Sequence, residues 1–430
     1  MIRSILLAMA LAATLFAAEP APFYLHDGDR VVFYGDSITD QRLYTLYTEL
    51  YALTRYPSLN VSFVHSGWGG DRVTGGGGGP VDLRLKRDVV AYQPTVVTIM
   101  LGMNDGGYTK HKAENDDTFK TGFQHIVESL KQQIPALRIT AIKPSPFDDV
   151  TRPFTLAPDG YNAILVSYGA WIDGYAKEAK IDVADLNSGV VEVVRNADLA
   201  DRSNAPKIIP DRVHPGPAGH LIMAEQLLKN WNARAVVSAV TIDAGSGAVP
   251  GTAPRVIREE FAHVTGLSAE GGLRWTETEQ SLPLPLAPMA EADDTGVIAL
   301  ALKNSDIWTA LNDETLKVTG LPSGRYTLRI DGMGAGEFSN TVLQEGINLA
   351  MYHTPMTEQS MQVLKLTTVH TQIHNLRWRN VQVPLEETPQ ATIASALAAM
   401  DQAETDIVRI QRETAKPKAH QFELMLVPRQ

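Results

Sequence analysis

The sequence contains no cysteine among its 430 residues. This absence excludes disulfide bonds, catalysis by a thiol, and a lipid-modified cysteine following a leader. The stability of the fold must therefore come from the packing of side chains. With 44% hydrophobic residues in a chain of this length, a sizeable core and more than one domain are expected.

Long apolar segments are absent beyond the N-terminus, where the chain begins MIRSILLAMALAATLFAAEPAP. Here Arg3 precedes an apolar run over residues 5–16, and two alanines follow. The run is shorter than the roughly 20 residues that cross a bilayer, and a Glu-Pro pair ends it. This pattern predicts a signal peptide over residues 1–18, no membrane span, and a soluble protein in the periplasm or outside the cell.

Several signatures of other functions are also missing. No basic run offsets the net charge of −11, which argues against a nucleic-acid partner. The G-x-S-x-G elbow of α/β-hydrolases, the H-E-x-x-H zinc motif and any other His/Asp cluster at metal-ligand spacing do not occur. We therefore expect neither a metal nor another cofactor to take part in the reaction.

The segment 30–235 alternates short apolar runs with longer segments of helical period, which predicts an α/β fold with a parallel sheet. One predicted helix carries apolar residues at 3.6 spacing and ends before Pro135, and another begins at His220. The predicted strands are VVFYG (31–35), VSFVH (61–65), TVVTIML (95–101), RITAI (138–142) and IDVADL (181–186).

The composition of the chain changes at the stretch DAGSGAVPGTAP, which is rich in glycine, alanine, serine and proline. The runs VIALAL and RYTLRI beyond it are short and β-like, whereas the pattern after Glu345 is helical. The sequence thus predicts an α/β domain over 19–238, a small β-rich accessory domain over 239–345, and a helical C-terminal segment over 346–430.

Two motifs carry the residues of nucleophilic catalysis. Asp36 and Ser37 directly follow the strand VVFYG, at the sheet edge where α/β folds bind ligands. Far downstream, Asp211 stands three residues before His214, close enough to orient its ring. A serine hydroxyl needs such a base to become nucleophilic. Taken singly, each motif is equally typical of an ordinary turn or capping loop.

Two further motifs offer hydrogen-bond donors at strand ends. Asn104 follows the strand TVVTIML in the sequence GMND, and the glycine-rich stretch HSGWGGDRV follows VSFVH. Glycines allow backbone N–H groups to approach a substrate oxygen closely. Each motif could also be a simple loop.

In this order, the serine, glycine, asparagine and histidine motifs resemble the four sequence blocks of the SGNH (GDSL-like) hydrolase family, over residues 29–235. The resemblance implies a flavodoxin-like three-layer domain, a Ser37–His214–Asp211 triad, and an oxyanion hole formed by the Ser37 N–H, Gly70 and Asn104. Gly67 is the alternative to Gly70, because this glycine block has His65 where the family frequently has asparagine.

The function implied is two-step hydrolysis of an ester without a cofactor. O-acetyl groups on polysaccharides are the favoured substrate, because export is expected and Trp68 and Tyr108 lie near motif loops, where aromatic rings could stack on sugars. The alternatives are a lipase, a short-chain acyl esterase or an acyltransferase. A third hypothesis is a non-catalytic glycan-binding protein, in which Trp275 and Trp308 of the β-rich accessory domain bind the glycan rather than form a core.

Overall fold

The computed structural model describes residues 22–152, 160–245, 253–388 and 390–428. The predicted signal peptide, 1–18, lies outside these residues. No helix in the described part of the chain combines the length and hydropathy required to cross a bilayer.

The first half is an α/β domain built on a parallel sheet. The strands of this half are β1 (Arg30–Gly35), β2 (Ser62–Gly67), β3 (Gly75–Gly76), β4 (Gly79–Pro80), β5 (Val96–Met100), β6 (Arg138–Ile142) and β7 (Asp182–Ala184). Within the described residues, five of them are parallel and pair in the order β2-β1-β5-β6-β7, whereas β3 and β4 form a short antiparallel pair. The helices are α1 (Ser37–Asp40), α2 (Leu43–Arg55), α3 (Val81–Asp88), α4 (Ala113–Gln133), α5 (Tyr161–Ala179), α6 (Asn187–Ala200) and α7 (Pro217–Asn230).

The predicted fold class is confirmed, and small differences lie at the ends of elements. Strand β7 covers only three of the six residues predicted, whereas α7 begins at Pro217 rather than at His220. Proline suits the first turn of a helix, because it has no N–H to leave unsatisfied. The strands are apolar on both faces, since helices cover both sides of the sheet.

The second half contains two further sheets, with strand orders β10-β11-β16-β13-β14 and β15-β12-β8-β9. Apolar side chains from both sheets form one core, separate from that of the first domain. The strands are β8 (Val236–Asp243), β9 (Arg255–Glu260), β10 (Ala262–Ser268), β11 (Leu273–Glu279), β12 (Asp313–Thr319), β13 (Arg325–Ile330), β14 (Met333–Ser339), β15 (Ile347–Asn348) and β16 (Ala419–Leu426).

Helices of the second half pack on the first domain. They are α8 (Leu286–Glu291), α9 (Val297–Lys303), α10 (Ile307–Ala310), α12 (Pro355–Asn375) and α13 (Ala391–Thr414), with a π-helical turn over Leu376–Gln382. The short helix α11 (Asn340–Glu345) instead packs on the β-rich region, where its Leu343 joins the second core. The β-like interpretation of VIALAL was wrong, because this run forms α9. Its buried residues Val297, Ile298 and Ala301 join the core of the first domain at helical spacing, and a short apolar run does not by itself distinguish helix from strand.

The C-terminal segment is helical up to Thr414 and then forms β16, a strand that the sequence analysis did not predict. Strand β16 lies between β11 and β13, so the last part of the chain completes the sheet of the β-rich region. Its buried residues His420, Phe422 and Leu424 alternate along the strand. This alternation is short, and its partners lie about 100 to 150 residues earlier in the chain.

The two tryptophans considered for glycan binding are both packed. Trp275 is 3% exposed and stacks on Phe422, with ring centroids 5.0 Å apart. Trp308 is half-buried against the core of the first domain. Trp275 therefore belongs to the core of the β-rich region and offers no surface to a glycan.

Candidate active site

The turn after β1 presents Ser37 at the edge of the sheet. Asp36 caps α1, and its carboxylate accepts a hydrogen bond from the Ile38 N–H at 3.0 Å. Burial raises the pKa of Asp36 to about 7, and the nearby carboxylates of Asp105 and Asp71 act in the same direction. As the first residue of α1, Ser37 has a backbone N–H with no acceptor inside the helix, so this N–H is available to a substrate oxygen.

The two candidate glycines of the stretch HSGWGGDRV, Gly67 and Gly70, have different surroundings in the structure. A Cβ on Gly67 would lie 2.1 Å from the Asp40 nitrogen, so this glycine permits β2 to pack against α1. Gly70, in contrast, is exposed, has a positive φ of 79°, and has open space around its Cα. Its N–H has no acceptor among the described residues. Gly70 is therefore the better placed of the two to donate to a ligand.

The structure brings Ser37, His214 and Asp211 into one hydrogen-bonded array. The Ser37 Oγ lies 2.8 Å from His214 Nε2, and His214 Nδ1 lies 2.7 Å from Asp211 Oδ2. An ionised Asp211 accepts a hydrogen bond from the Nδ1–H of His214, which leaves Nε2 unprotonated and able to accept the hydroxyl proton of Ser37.

Asp211 is fixed by backbone N–H groups as well as by the ring. Its Oδ1 accepts from the N–H groups of Val213 and His214, at 3.0 and 2.7 Å. Burial by itself would raise the pKa of Asp211, but these hydrogen bonds and the one from the His214 ring hold it below the ordinary value. The carboxylate is thus ionised at neutral pH and stabilises a protonated His214.

The second histidine of the same segment, His220, has a different environment. Its Nδ1 accepts from the Tyr44 N–H at 3.2 Å, so its Nε2 donates to Gln41 Oε1 at 3.0 Å. Burial lowers the pKa of His220 to about 3. This ring is therefore neutral, and it joins α7 to α2 rather than serving as a base.

Asn104 follows β5, the strand paired with β1, and is held by two hydrogen bonds. Its Nδ2 donates to the Asp71 carbonyl at 2.9 Å, and its Oδ1 accepts from the Tyr108 hydroxyl at 2.9 Å. The neighbouring Asp105 accepts from the Val73 N–H at 3.0 Å, and burial raises its pKa to about 6. With its amide orientation fixed, Asn104 has one N–H left for a ligand.

Tyr108 positions Asn104 through a hydrogen bond from its hydroxyl, and its ring packs on a second tyrosine. The ring stacks on that of Tyr161, with centroids 5.1 Å apart, and its backbone adopts a positive φ of 54°. The sequence analysis assigned Tyr108 to substrate binding, and that assignment stays a prediction. The structure adds a positioning role, through the hydrogen bond from its hydroxyl to Asn104, which no sequence signal revealed.

We expect Tyr108→Phe to lower kcat for ester hydrolysis about 3- to 10-fold with little change in KM, because one hydrogen bond orienting Asn104 is worth about 0.5–1.5 kcal/mol. Steady-state kinetics on a short aryl ester would measure this. Tyr175→Phe, on α5, is the matched control and should behave like the wild type. An increase in KM with unchanged kcat would favour substrate binding by Tyr108 instead.

Trp68 is covered rather than free to stack on a sugar. The residue is 8% exposed, the guanidinium groups of Arg84 and Arg379 lie over its ring, and Trp378 packs edge-on with centroids 5.7 Å apart. The structure thus does not support the predicted contact between Trp68 and substrate. Tryptophan in such a position stabilises its loop.

A network of buried ion pairs and hydrogen bonds supports the glycine-rich stretch HSGWGGDRV. Arg84 is fully buried and pairs with Asp71 at 2.7 Å and with Asp88, while its Nη2 donates to the Ser66 carbonyl at 2.8 Å. The Trp378 indole N–H donates to Asp88 at 2.6 Å, so the C-terminal segment contributes to this support. These side chains are far apart in the sequence, apart from the i,i+4 spacing of Arg84 and Asp88.

Comparison with known proteins agrees with this geometry. The family model described as GDSL-like Lipase/Acylhydrolase matches residues 33–222, which contain Ser37, Gly70, Asn104, Asp211 and His214. The chain contains a GDSL-like hydrolase domain. Its enzymatic class is that of a carboxylic ester hydrolase, as the sequence motifs predicted.

Two similar proteins differ in how much of the chain they cover. An acetylxylan esterase from Geobacillus stearothermophilus is 24% identical over 226 residues, which are 47% of this chain and 93% of that protein. A solved structure titled "BT4096 a gut microbial diltiazem-metabolizing enzyme" is 23% identical, with a TM-score of 0.78, and covers 94% of this chain and 98% of its own. The fold of the GDSL esterase is therefore shared well beyond its hydrolase domain.

Proposed function

We propose that this GDSL esterase removes O-acetyl groups from carbohydrates, with Ser37 as the nucleophile and His214 as its base. The observation that carries the proposal is the hydrogen-bonded array of Ser37, His214 and Asp211. The similarity to an acetylxylan esterase over nearly the whole of that protein supports the substrate class.

The array accounts for both halves of the reaction. His214 Nε2 takes the proton of Ser37 as Oγ attacks the acyl carbonyl, and the resulting imidazolium is stabilised by Asp211. The same proton then passes to the departing sugar oxygen. Water then enters and gives a proton to His214 as its oxygen attacks the acyl carbon. The bond between that carbon and Oγ breaks, His214 returns the proton to Ser37 Oγ, and acetic acid leaves, which ionises to acetate.

The carbonyl oxygen of the acyl group becomes negatively charged in both steps, so hydrogen-bond donors must lie close to it. The N–H groups of Ser37 and Gly70 and the remaining amide hydrogen of Asn104 would supply them. Because Asn104 is buried and already oriented, little reorganisation is needed when the charge develops.

Export is part of the proposal, and it rests on the N-terminal pattern of residues 1–18. Mass spectrometry of the protein recovered from its native cells should find a mature N-terminus close to residue 19. A chain that keeps Met1 or Ile2 would contradict export by cleavage of a signal peptide.

The substrate class is tested by measuring acetate release from acetylated xylan and acetylated pectin, together with a series of aryl esters of increasing acyl length. We expect release from at least one polysaccharide and a rate on aryl acetate at least tenfold above that on an eight-carbon acyl chain. Ser37→Ala should remove all of these activities. Ser395→Ala, an exposed serine on α13, is the matched control.

Faster turnover of the long acyl chain would favour a lipase and contradict the proposal. Turnover of the aryl acetate without release from any acetylated carbohydrate would limit the conclusion to a short-chain esterase. Absence of Ser37-dependent turnover on every ester would contradict the assignment of the nucleophile.

A further inference from the structure

A buried cluster of histidine and glutamate side chains lies where the C-terminal helices meet the hydrolase domain. Glu49 on α2 and His65 on β2 belong to the first domain, whereas His370 on α12 belongs to the second half of the chain. All three are at most 2% exposed. One potential ligand atom from each lies within 4.8 Å of the other two.

The inner nitrogens of both rings converge on the same carboxylate. His65 Nε2 lies 3.1 Å from Glu49 Oε2, and His370 Nδ1 lies 2.8 Å from Glu49 Oε1. Ligands about 2.0–2.2 Å from a tetrahedral zinc ion are separated by roughly 3.3 Å. The two separations from Glu49 are close to this value, and with every pair of potential ligand atoms within 4.8 Å, side-chain movements could bring all three around an ion.

The outer nitrogens of the rings are fixed by oxygen atoms. His65 Nδ1 lies 2.7 Å from the Thr45 hydroxyl, and His370 Nε2 lies 3.3 Å from Glu404 Oε1. Histidines that bind a metal are commonly oriented in this way, by an oxygen on the nitrogen that does not bind it. The cluster therefore has an outer shell as well as candidate ligands.

A cavity gives the cluster a path of entry, and Gln411 adds to its outer shell. The Nε2 of Gln411, a side chain that is 1% exposed, donates to Glu49 Oε1 at 3.1 Å. A cavity of about 960 Å³ reaches the cluster from the surface and is lined in part by His370, His374 and Glu404. His374 Nε2 is buried and has no hydrogen-bond partner among the described residues.

The charge of the cluster suits a divalent ion. The carboxylates of Glu49 and Glu404 both lie within hydrogen-bond distance of His370, so this buried place favours a positive charge, either a proton on the ring or a metal ion that displaces it. Two imidazole nitrogens and a carboxylate are ligands that zinc accepts readily, whereas calcium and magnesium prefer oxygen alone.

We propose that Glu49, His65 and His370 bind one divalent transition-metal ion, with zinc the best match, and that this ion joins the C-terminal helices to the hydrolase domain. The site is separate from Ser37 and does not depend on the proposed function. Its role is structural, since it holds α12 against α2 and against β2, the strand that leads into the glycine block.

The test uses the full chain after treatment with a chelator and gel filtration. Titration with zinc chloride, followed by calorimetry and by elemental analysis, should show one zinc per chain with a Kd of about 1 μM or less. The midpoint of thermal unfolding should rise with zinc concentration. Ser37→Ala should bind zinc like the wild type, which separates this site from the active site.

Substitution of the proposed ligands shows which side chains bind the ion. His370→Ala and His65→Ala should weaken binding at least 100-fold, and Glu404→Gln about 10- to 100-fold through the outer shell. Glu49→Gln keeps the size of the side chain and should also weaken binding at least 100-fold, which guards against misfolding of the alanine variants. His263→Ala removes an exposed histidine beside Glu259 and should change nothing.

Two results would overturn the proposal. One is the absence of stoichiometric zinc binding by the chelator-treated wild type. The other is equal binding by the wild type and Glu49→Gln. In either case a proton on His370 would bridge Glu49 and Glu404 instead, since burial lowers its pKa but these two carboxylates raise it to about 10.

Discussion

Replacing His214 with alanine is expected to lower kcat for ester hydrolysis by on the order of 10⁴-fold or more. The reason is that Ser37 would lose the acceptor for its proton, 2.8 Å from Oγ, and the leaving alcohol would lose its proton donor. Stopped assays at high enzyme concentration on an aryl acetate would measure the residual rate. KM should change little, because the ring contacts the reacting atoms rather than the rest of the substrate.

The matched controls test whether the serine and histidine act as a unit. Ser37→Ala and the double variant should each lose about as much as His214→Ala alone, since removing one member disables the others. His125→Ala removes an exposed histidine that also pairs with an aspartate, at 2.6 Å, and should retain full activity. A double variant much slower than both single variants would show that the two residues act independently.

Replacing Asn104 with alanine should lower kcat about 10²- to 10³-fold, or about 3–4 kcal/mol in transition-state stabilisation. The amide would donate to the oxyanion more strongly in the transition state than to the carbonyl of the bound substrate. The effect should therefore fall on kcat more than on KM. Kinetics on the same aryl acetate would measure it.

Asn115→Ala is the control for this prediction. The Asn115 amide donates to the Gly106 carbonyl at 3.2 Å and supports the same loop without facing the serine. If both variants lost activity equally, the effect of Asn104 would be one of loop structure. Thermal unfolding of both variants would show whether the loss of the hydrogen bonds to Asp71 and Tyr108 has destabilised the fold.

Much of the fold was accessible from the sequence because its signals are local. The strands that carry Ser37, the glycine block and Asn104 are continuous apolar runs, and their order alone predicted a parallel sheet with these residues at one edge. The misassigned run VIALAL shows the limit of this reasoning. Six apolar residues suit a buried strand or a buried helix, and the surface that they meet decides between them.

The residues of the candidate site likewise fall into those that local sequence motifs predicted and those whose surroundings depend on tertiary contacts. The sequence predicted Ser37, Asn104, Asp211 and His214, because each stands in a short motif beside a strand or helix. It favoured Gly70 but kept Gly67 as an alternative, since the difference between them depends on how closely Asp40 approaches one and leaves the other open. It also overestimated Trp68, whose ring is covered by side chains from α3 and from the distant C-terminal segment.

The sequence by itself therefore determined the enzymatic class of this protein, a carboxylic ester hydrolase, and predicted Ser37 and His214 as its nucleophile and base. Only the tertiary structure decided how the second half takes part. It places β16 inside a sheet built from earlier strands, brings Trp378 under the glycine block, and gathers Glu49, His65 and His370 into one buried cluster. The physical reason is distance along the chain: His370 lies more than 300 residues from Glu49, and only packing brings such side chains together.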